Sequence, residues 1–140
     1  MNYELVYPMA AMVLLTFGVL IRLFLGRVHA VRAGDVSGTY YKTFQGGEEP
    51  RELAQLSRHF INLFESPTLF YVACVVAMVT GQSGTTLLVL AWVYFAMRVV
   101  HALIHLRRNK IQPRTGTYLA SWIVLIAMWA VIVAGVATGQ

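Results

Sequence analysis

The chain has 140 residues, 58% hydrophobic and 12% charged, with a mean hydropathy of +0.63, whereas a soluble domain carries about 25% charged residues. Its formal charge is +5, from 11 Lys and Arg against 6 Asp and Glu. The bases flank apolar runs instead of coating a soluble surface, which argues against nucleic-acid binding and for a single integral membrane domain.

Four stretches are long enough to cross a hydrocarbon core, which takes about 20 residues of helix. The first spans residues 5–25, with Pro8 tolerable near its start. Tyr3 and Glu4 precede it, without the basic start of a cleavable leader. The first connection, Gly26 to Ser57, is rich in glycine and reads as an irregular polar loop. Glu48-Glu49-Pro50-Arg51-Glu52 then has the acidic first turn and early proline of a helix start, so the second helix is expected over 50–80 with its membrane part at 60–80. Cys74, the single cysteine, lies in mid-span and can form no intrachain disulfide. Gly81-Gln82-Ser83-Gly84 is a minimal turn that makes the next helix, 85–105, an antiparallel neighbour. A short basic loop broken by Pro113 leads to the last helix, 117–137. The alternation of a membrane β-barrel is absent, so the fold class expected is an all-α, up-down bundle of four transmembrane helices.

The basic residues decide the expected orientation. Arg22, Arg27, Arg32, Lys42, Arg51 and Arg58 flank or lie in the first connection; Arg98, Arg107, Arg108, Lys110 and Arg114 flank or lie in the third. By the positive-inside rule both connections are cytoplasmic and both termini lie on the other side.

Polar groups inside spans are costly and normally face a bundle interior. Arg22 sits near the end of the first span. Arg58, Asn62 and Glu65 follow at i, i+4, i+7, one face of an unbroken helix. Pro67 is expected to kink that helix and free the carbonyl of Leu63. Arg98, His101 and His105 share a face of the third helix, and Arg114, Tyr118 and Ser121 a face of the fourth. All four helices thus bring polar groups to one end, with Glu65 as an inward carboxylate. The bland alternatives are arginines snorkelling to headgroups and a structural pairing of Glu65 with Arg58 or Arg98. His101 and His105 at i, i+4 lack the remaining ligands of a metal site, so no metal is assigned.

Arg58-x-x-x-Asn62-x-x-Glu65 before an apolar run, Arg98-Val-Val-His101, and Arg114-Thr-Gly-Thr-Tyr118 together resemble the signature of the MAPEG family, the membrane-associated proteins in eicosanoid and glutathione metabolism. The resemblance extends over nearly the whole chain. It implies a homotrimer of four-helix subunits with glutathione between neighbours near the cytoplasmic face, in a bacterial-type member of an inner membrane. It places Arg58, Asn62 and Glu65 in the glutathione cradle and His101 and Tyr118 at its closure, with Arg98 and His105 lining the same end. Arg114 matches the position of the thiol-activating arginine, and Arg22 that of a first-helix arginine. Ile61 stands where prostaglandin-synthase-like members carry another arginine, His105 where several members have tyrosine, and Phe60 replaces a polar residue, which argues against eicosanoid synthesis. The implied function is a glutathione-dependent transferase or peroxidase acting on lipophilic electrophiles. The alternative is a non-catalytic scaffold or lipid-binding subunit that keeps the polar cluster as structural glue.

Overall fold

In the computed structural model the described residues are predominantly helical. The structure describes residues 3–107 and 111–139, and side chains for all of these except 105–107 and 111–113. Six helices follow in order: α1 (Val6–Ala33), α2 (Tyr40–Thr43), α3 (Arg51–Asn62), α4 (Ser66–Val79), α5 (Thr85–Arg107) and α6 (Ile111–Thr138), with no strand among the described residues. Four stretches are long and apolar enough to cross a membrane: Val6–Ala33, Arg51–Val79, Thr85–Ile104 and Arg114–Thr138.

Helix α1 runs eight residues past the expected end. At about 1.5 Å per residue its 28 residues measure about 42 Å, more than the roughly 30 Å of a hydrocarbon core. Gly26 does not end it, because there a missing side chain is what packing requires. A Cβ at Gly26 would stand 2.5 Å from Leu53 Cδ2, so the glycine lets α3 lie close against α1. The real stop is Gly34. At φ +80° it takes the left-handed conformation that glycine adopts without steric cost, and its N–H and that of Asp35 close back on Val31 and Ala30. Gly81, at φ +76°, ends α4 in the same way, its N–H returning to Met78 and that of Gln82 to Ala77. Helix α6 starts six residues earlier than expected. Pro113 lies in its first turn, where backbone N–H groups have no intrahelical acceptor and a proline removes nothing.

The second span is two helices, not one. Helix α3 ends at Asn62, Glu65 takes φ −85° and ψ −96°, and α4 begins at Ser66 with Pro67 in its first turn. Proline has no N–H for the ladder and restricts the residue before it, so the interruption falls just upstream of Pro67. Inside the break the backbone tightens to shorter-range bonds, with Phe64 N–H to Ile61 O at 2.9 Å.

Two apolar clusters form the core. One gathers Leu5 at the N-cap of α1, Met12 of α1, Phe70, Ala73, Cys74 and Ala77 of α4, Leu87 and Ala91 of α5, and Leu125, Met128 and Ile132 of α6. The other joins Val19, Leu23 and Ala30 of α1 to Leu53, Leu56 and Leu63. The first cluster joins the start of α1 to α4, α5 and α6, and the second joins the rest of α1 to α3.

The Gly26–Leu53 contact yields a paired test. Gly26→Leu should lower thermal stability in detergent by about 1–3 kcal/mol through overpacking. Gly18→Ala, where a Cβ meets nothing within 4 Å, should be neutral or stabilising by up to about 1 kcal/mol. Equal effects of the two substitutions would contradict this packing.

Candidate functional site

Between the two apolar clusters, buried polar residues face one another across the second and third spans. Ser66 and Tyr94 hydroxyls meet at 2.9 Å, both residues buried. The Arg98 guanidinium donates through Nη2 to the Asn62 backbone oxygen at 3.2 Å and to its side-chain Oδ1 at 3.0 Å. The His59 and His101 rings lie 5.7 Å apart, both residues buried. Along α5 the partners advance from Tyr94 to Arg98 to His101, while along α4 and α3 they retreat from Ser66 to Asn62 to His59. These are three rungs of an antiparallel ladder: along α5 they are spaced by four and then three residues, the spacing of one helix face, while on the other side they run from α4 across the break into α3.

Arg98 is its centre. The residue is 0% exposed, and its Nε and Nη1 have no hydrogen-bond partner among the described residues. Its guanidinium carbon stands 5.9 Å from the Tyr118 ring centroid. The break in the second span explains the arrangement electrostatically. The C-terminus of α3 presents carbonyl oxygens and a partial negative charge, which Arg98 meets. The N-terminus of α4 presents partial positive charge, and Glu65 stands at its N-cap. Pro67 therefore does free a carbonyl for a side chain, and the one taken is that of Asn62, not Leu63.

His101 ties the third span to the fourth. Its Nδ1 lies 3.1 Å from the Arg114 backbone oxygen and 3.3 Å from Thr117 Oγ1, and its ring 5.9 Å from Tyr118. Ser121, buried, donates to the Tyr118 carbonyl at 2.7 Å. The structure thus brings Asn62, Arg98, His101, Tyr118 and the Arg114 backbone together.

Arg58 and Glu65 stand apart from this group. Both are exposed, and Glu65 forms no ion pair with Arg58 or Arg98. The spacing that puts Arg58, Asn62 and Glu65 on one face holds only for an unbroken helix, and the break between α3 and α4 turns Glu65 out of register. Arg22 is exposed on α1. The side chain of His105 lies outside the described residues.

A second polar feature was not foreseen. A groove of about 760 Å³ opens between α1, the first connection and α3. Leu20, Leu23, Phe24, Phe60 and Ile61 line its apolar part; Arg27, Glu48, Glu49, Ser57 and Arg58 line its polar part. A closed triangle holds one wall. Arg27 Nε reaches Glu49 Oε1 at 3.0 Å, Arg27 Nη2 meets Ser57 Oγ at 2.9 Å, and Ser57 donates to Glu49 Oε2 at 2.9 Å. The connection expected to be irregular carries an edge-to-face aromatic group, Tyr40, Tyr41 and Phe44, with Arg27 over the Tyr41 ring at 5.0 Å and the Phe44 ring at 5.6 Å. Burial first, and then the Glu49 carboxylate, hold the Tyr41 phenol above its ordinary pKa. Phe44 itself sits at φ +55°, the one non-glycine residue with positive φ among those described. Arg27 pairs with residues 22 and 30 positions away, and nothing local in the sequence announces those contacts. His59 was legible: it falls into the buried stripe Leu53, Leu56, His59, Leu63.

The Arg98–Asn62 bond can be tested by a double-mutant cycle. Asn62→Leu removes the side-chain acceptor, leaves the buried guanidinium the backbone oxygen alone, and should cost about 1–3 kcal/mol of stability. Adding Arg98→Met should restore much of that loss, since removing both partners removes the stranded charge. Additive losses in detergent unfolding would contradict the pairing.

A model of the MAPEG family matches residues 5–134. No curated protein and no solved structure matches the chain. The match takes in three spans and most of the fourth, both walls of the polar ladder and the groove, and the chain belongs to the MAPEG family.

Proposed function

We infer the function from two findings: four apolar helices and membership of this family make the chain an integral membrane protein, and the family generally uses glutathione as substrate or cofactor. We propose that this protein is a glutathione-dependent transferase or peroxidase acting on lipophilic electrophiles. In this reading it works as a homotrimer of up-down subunits in a bacterial inner membrane, with the thiol site between subunits near the cytoplasmic face and both termini on the opposite side.

The observation that carries the reading is Arg98. A fully buried guanidinium with two nitrogens unpartnered among the described residues, beside Tyr118, is a place where an anionic group gains charge-assisted hydrogen bonds. Glutathione brings two carboxylates, an ammonium and a thiol. Arginine forks suit the carboxylates, and Glu65 suits the ammonium. Arg58, Asn62, Glu65, Arg98, His101, His105 and Tyr118 would hold it. Arg22, Arg58 and Glu65, exposed on a single chain, would then serve the subunit boundary. Arg114 is assigned to the sulfur: a guanidinium there favours the thiolate over a thiol whose unperturbed pKa is about 8.5. The thiolate is the nucleophile, and an apolar electrophile arrives from the lipid.

Two measurements test the proposal. Glutathione should raise the unfolding temperature of the detergent-solubilised protein, because a ligand that prefers the native state stabilises it, and Glu65→Gln should abolish the rise. In conjugation to chlorodinitrobenzene, Arg114→Ala should lower kcat/KM by about 100-fold. Undiminished activity in Arg114→Ala would remove that role, and no thermal response to glutathione would remove the ligand.

A further inference from the structure

We propose that His59 is a positioning residue for the thiol site: packed against His101, it holds that ring on the Arg114 carbonyl and so fixes where Arg114 stands against the sulfur. The assignment rests on the glutathione reading and gives a part to a residue that the reading leaves out. His59 is 0% exposed and falls in the buried stripe Leu53, Leu56, His59, Leu63. Leucine, close to histidine in volume, would complete that stripe at no polar cost, whereas an imidazole taken out of water must be compensated by its surroundings. Packing alone therefore does not account for a histidine there. What the ring meets is His101, centroid to centroid at 5.7 Å with a tilt of 34°, inside the roughly 4.5–7 Å over which ring pairs attract.

The contact matters because of what His101 holds on its other side. Its Nδ1 lies 3.1 Å from the Arg114 backbone oxygen and 3.3 Å from Thr117 Oγ1. A carbonyl only accepts, so Nδ1 carries the proton and donates it to Arg114. That bond exists in one ring orientation, since a half-turn about the Cβ–Cγ bond puts a carbon where Nδ1 stands. Two rings bound the imidazole and fix the orientation: His59 from α3, and Tyr118 from α6 at 5.9 Å. Arg114 belongs to the first turn of α6, and helix ends fray unless something holds them. Helix α3 packs on α1 and α5, and α5 packs on α6, so His59 and His101 carry the position of the second span to the start of the fourth. With its carbonyl anchored, Arg114 extends its side chain from a fixed point. Reacting geometry tolerates little error: a displacement of about 1 Å that starts far from the chemistry can cost about 100-fold in rate. In this arrangement His59 touches neither glutathione nor the reacting atoms and acts through His101 and Arg114.

The test compares the full chain in detergent with His59→Leu, which keeps the stripe apolar and its volume nearly unchanged. The thiolate absorbance of bound glutathione, followed against pH, gives the pKa of the bound thiol. His59→Leu should raise that pKa by about one unit, toward the unperturbed value of about 8.5. At neutral pH kcat/KM with chlorodinitrobenzene should then fall by up to about tenfold, and recover above both pKa values, where the sulfur is ionised in each protein. In that reaction the sulfur bonds to the ring carbon, chloride leaves with its bonding pair, and the thiol proton passes to solvent. S-methylglutathione has no thiol proton, so wild type and variant should bind it alike; weaker binding by the variant would make His59 a support of the cradle and overturn the proposal. Combining His59→Leu with Arg114→Ala should be no worse than Arg114→Ala alone, because His59 acts only through Arg114. With no glutathione present, magnetisation transfer from His101 Nδ1 to the Arg114 carbonyl carbon should be strong in the wild type and weakened in His59→Leu. Absence of a glutathione thiolate on the wild type would sink the reading on which the proposal rests. A wild-type thiolate unchanged by His59→Leu, additive losses in the double variant, or an unaltered transfer from His101 to Arg114 would overturn the role of His59 alone.

Discussion

A guanidinium with no solvent exposure, bound to the carbonyl end of an interrupted helix, is the constraint around which this bundle is arranged. Isolated in an apolar interior, a charge costs several kcal/mol even after relaxation. Arg98 offsets part of that cost with two bonds to Asn62, one to the backbone and one to the side chain. The backbone acceptor lies at the end of α3, where the second span breaks at Leu63–Glu65. The break in turn follows from Pro67, which cannot join an uninterrupted ladder of hydrogen bonds. A proline in one span and an arginine in the next are thus parts of one device: the first exposes backbone oxygens in a low-dielectric interior, and the second satisfies them.

From that point the polar contacts spread by helix geometry. Residues one turn away from Arg98 on the same face of α5 are Tyr94 and His101, and their counterparts across the boundary are Ser66 and His59. His101 then hands the connection on to the start of α6 through the Arg114 carbonyl and Thr117. The result is a buried polar layer between two apolar clusters, which fixes the register of the second, third and fourth spans against one another. Apolar packing alone sets register weakly among helices in lipid, where the surroundings are as apolar as the side chains. The same layer is what a polar co-substrate would need at that depth. Structural and binding roles for Arg98 and Asn62 are therefore compatible, since two guanidinium nitrogens stay available after the internal bonds are made.

How much of this was legible in the sequence depended on whether a feature was local. The four spans were, because each is a continuous apolar run. The helix start near Pro50 was legible from its charges and its proline. The end of α1 was misread: Gly26 looks like a terminator, yet its role is close approach to Leu53, and the stop lies at Gly34, whose left-handed turn leaves no stronger trace in composition. The Arg58, Asn62, Glu65 spacing presumed a straight helix, while Pro67, two residues on, already warned that the register would fail there. His59 could have been recovered from the three- and four-residue spacing of Leu53, Leu56 and Leu63. The Arg27–Glu49–Ser57 triangle could not, for it depends on a long connection folding back across α1 and α3. Without the triangle there is no closed wall and no groove, so the groove too was invisible before the fold was known.

The central claim, that Arg98 caps the interrupted second span, is most directly tested by solid-state NMR of the lipid-reconstituted protein with isotope labels in the Asn62 carbonyl and the Arg98 guanidinium. A through-space transfer between the two, matching a nitrogen–oxygen separation near 3.2 Å, is the predicted result. Absence of that transfer, with the guanidinium nitrogens instead in contact with lipid phosphate or bulk water, would contradict the account.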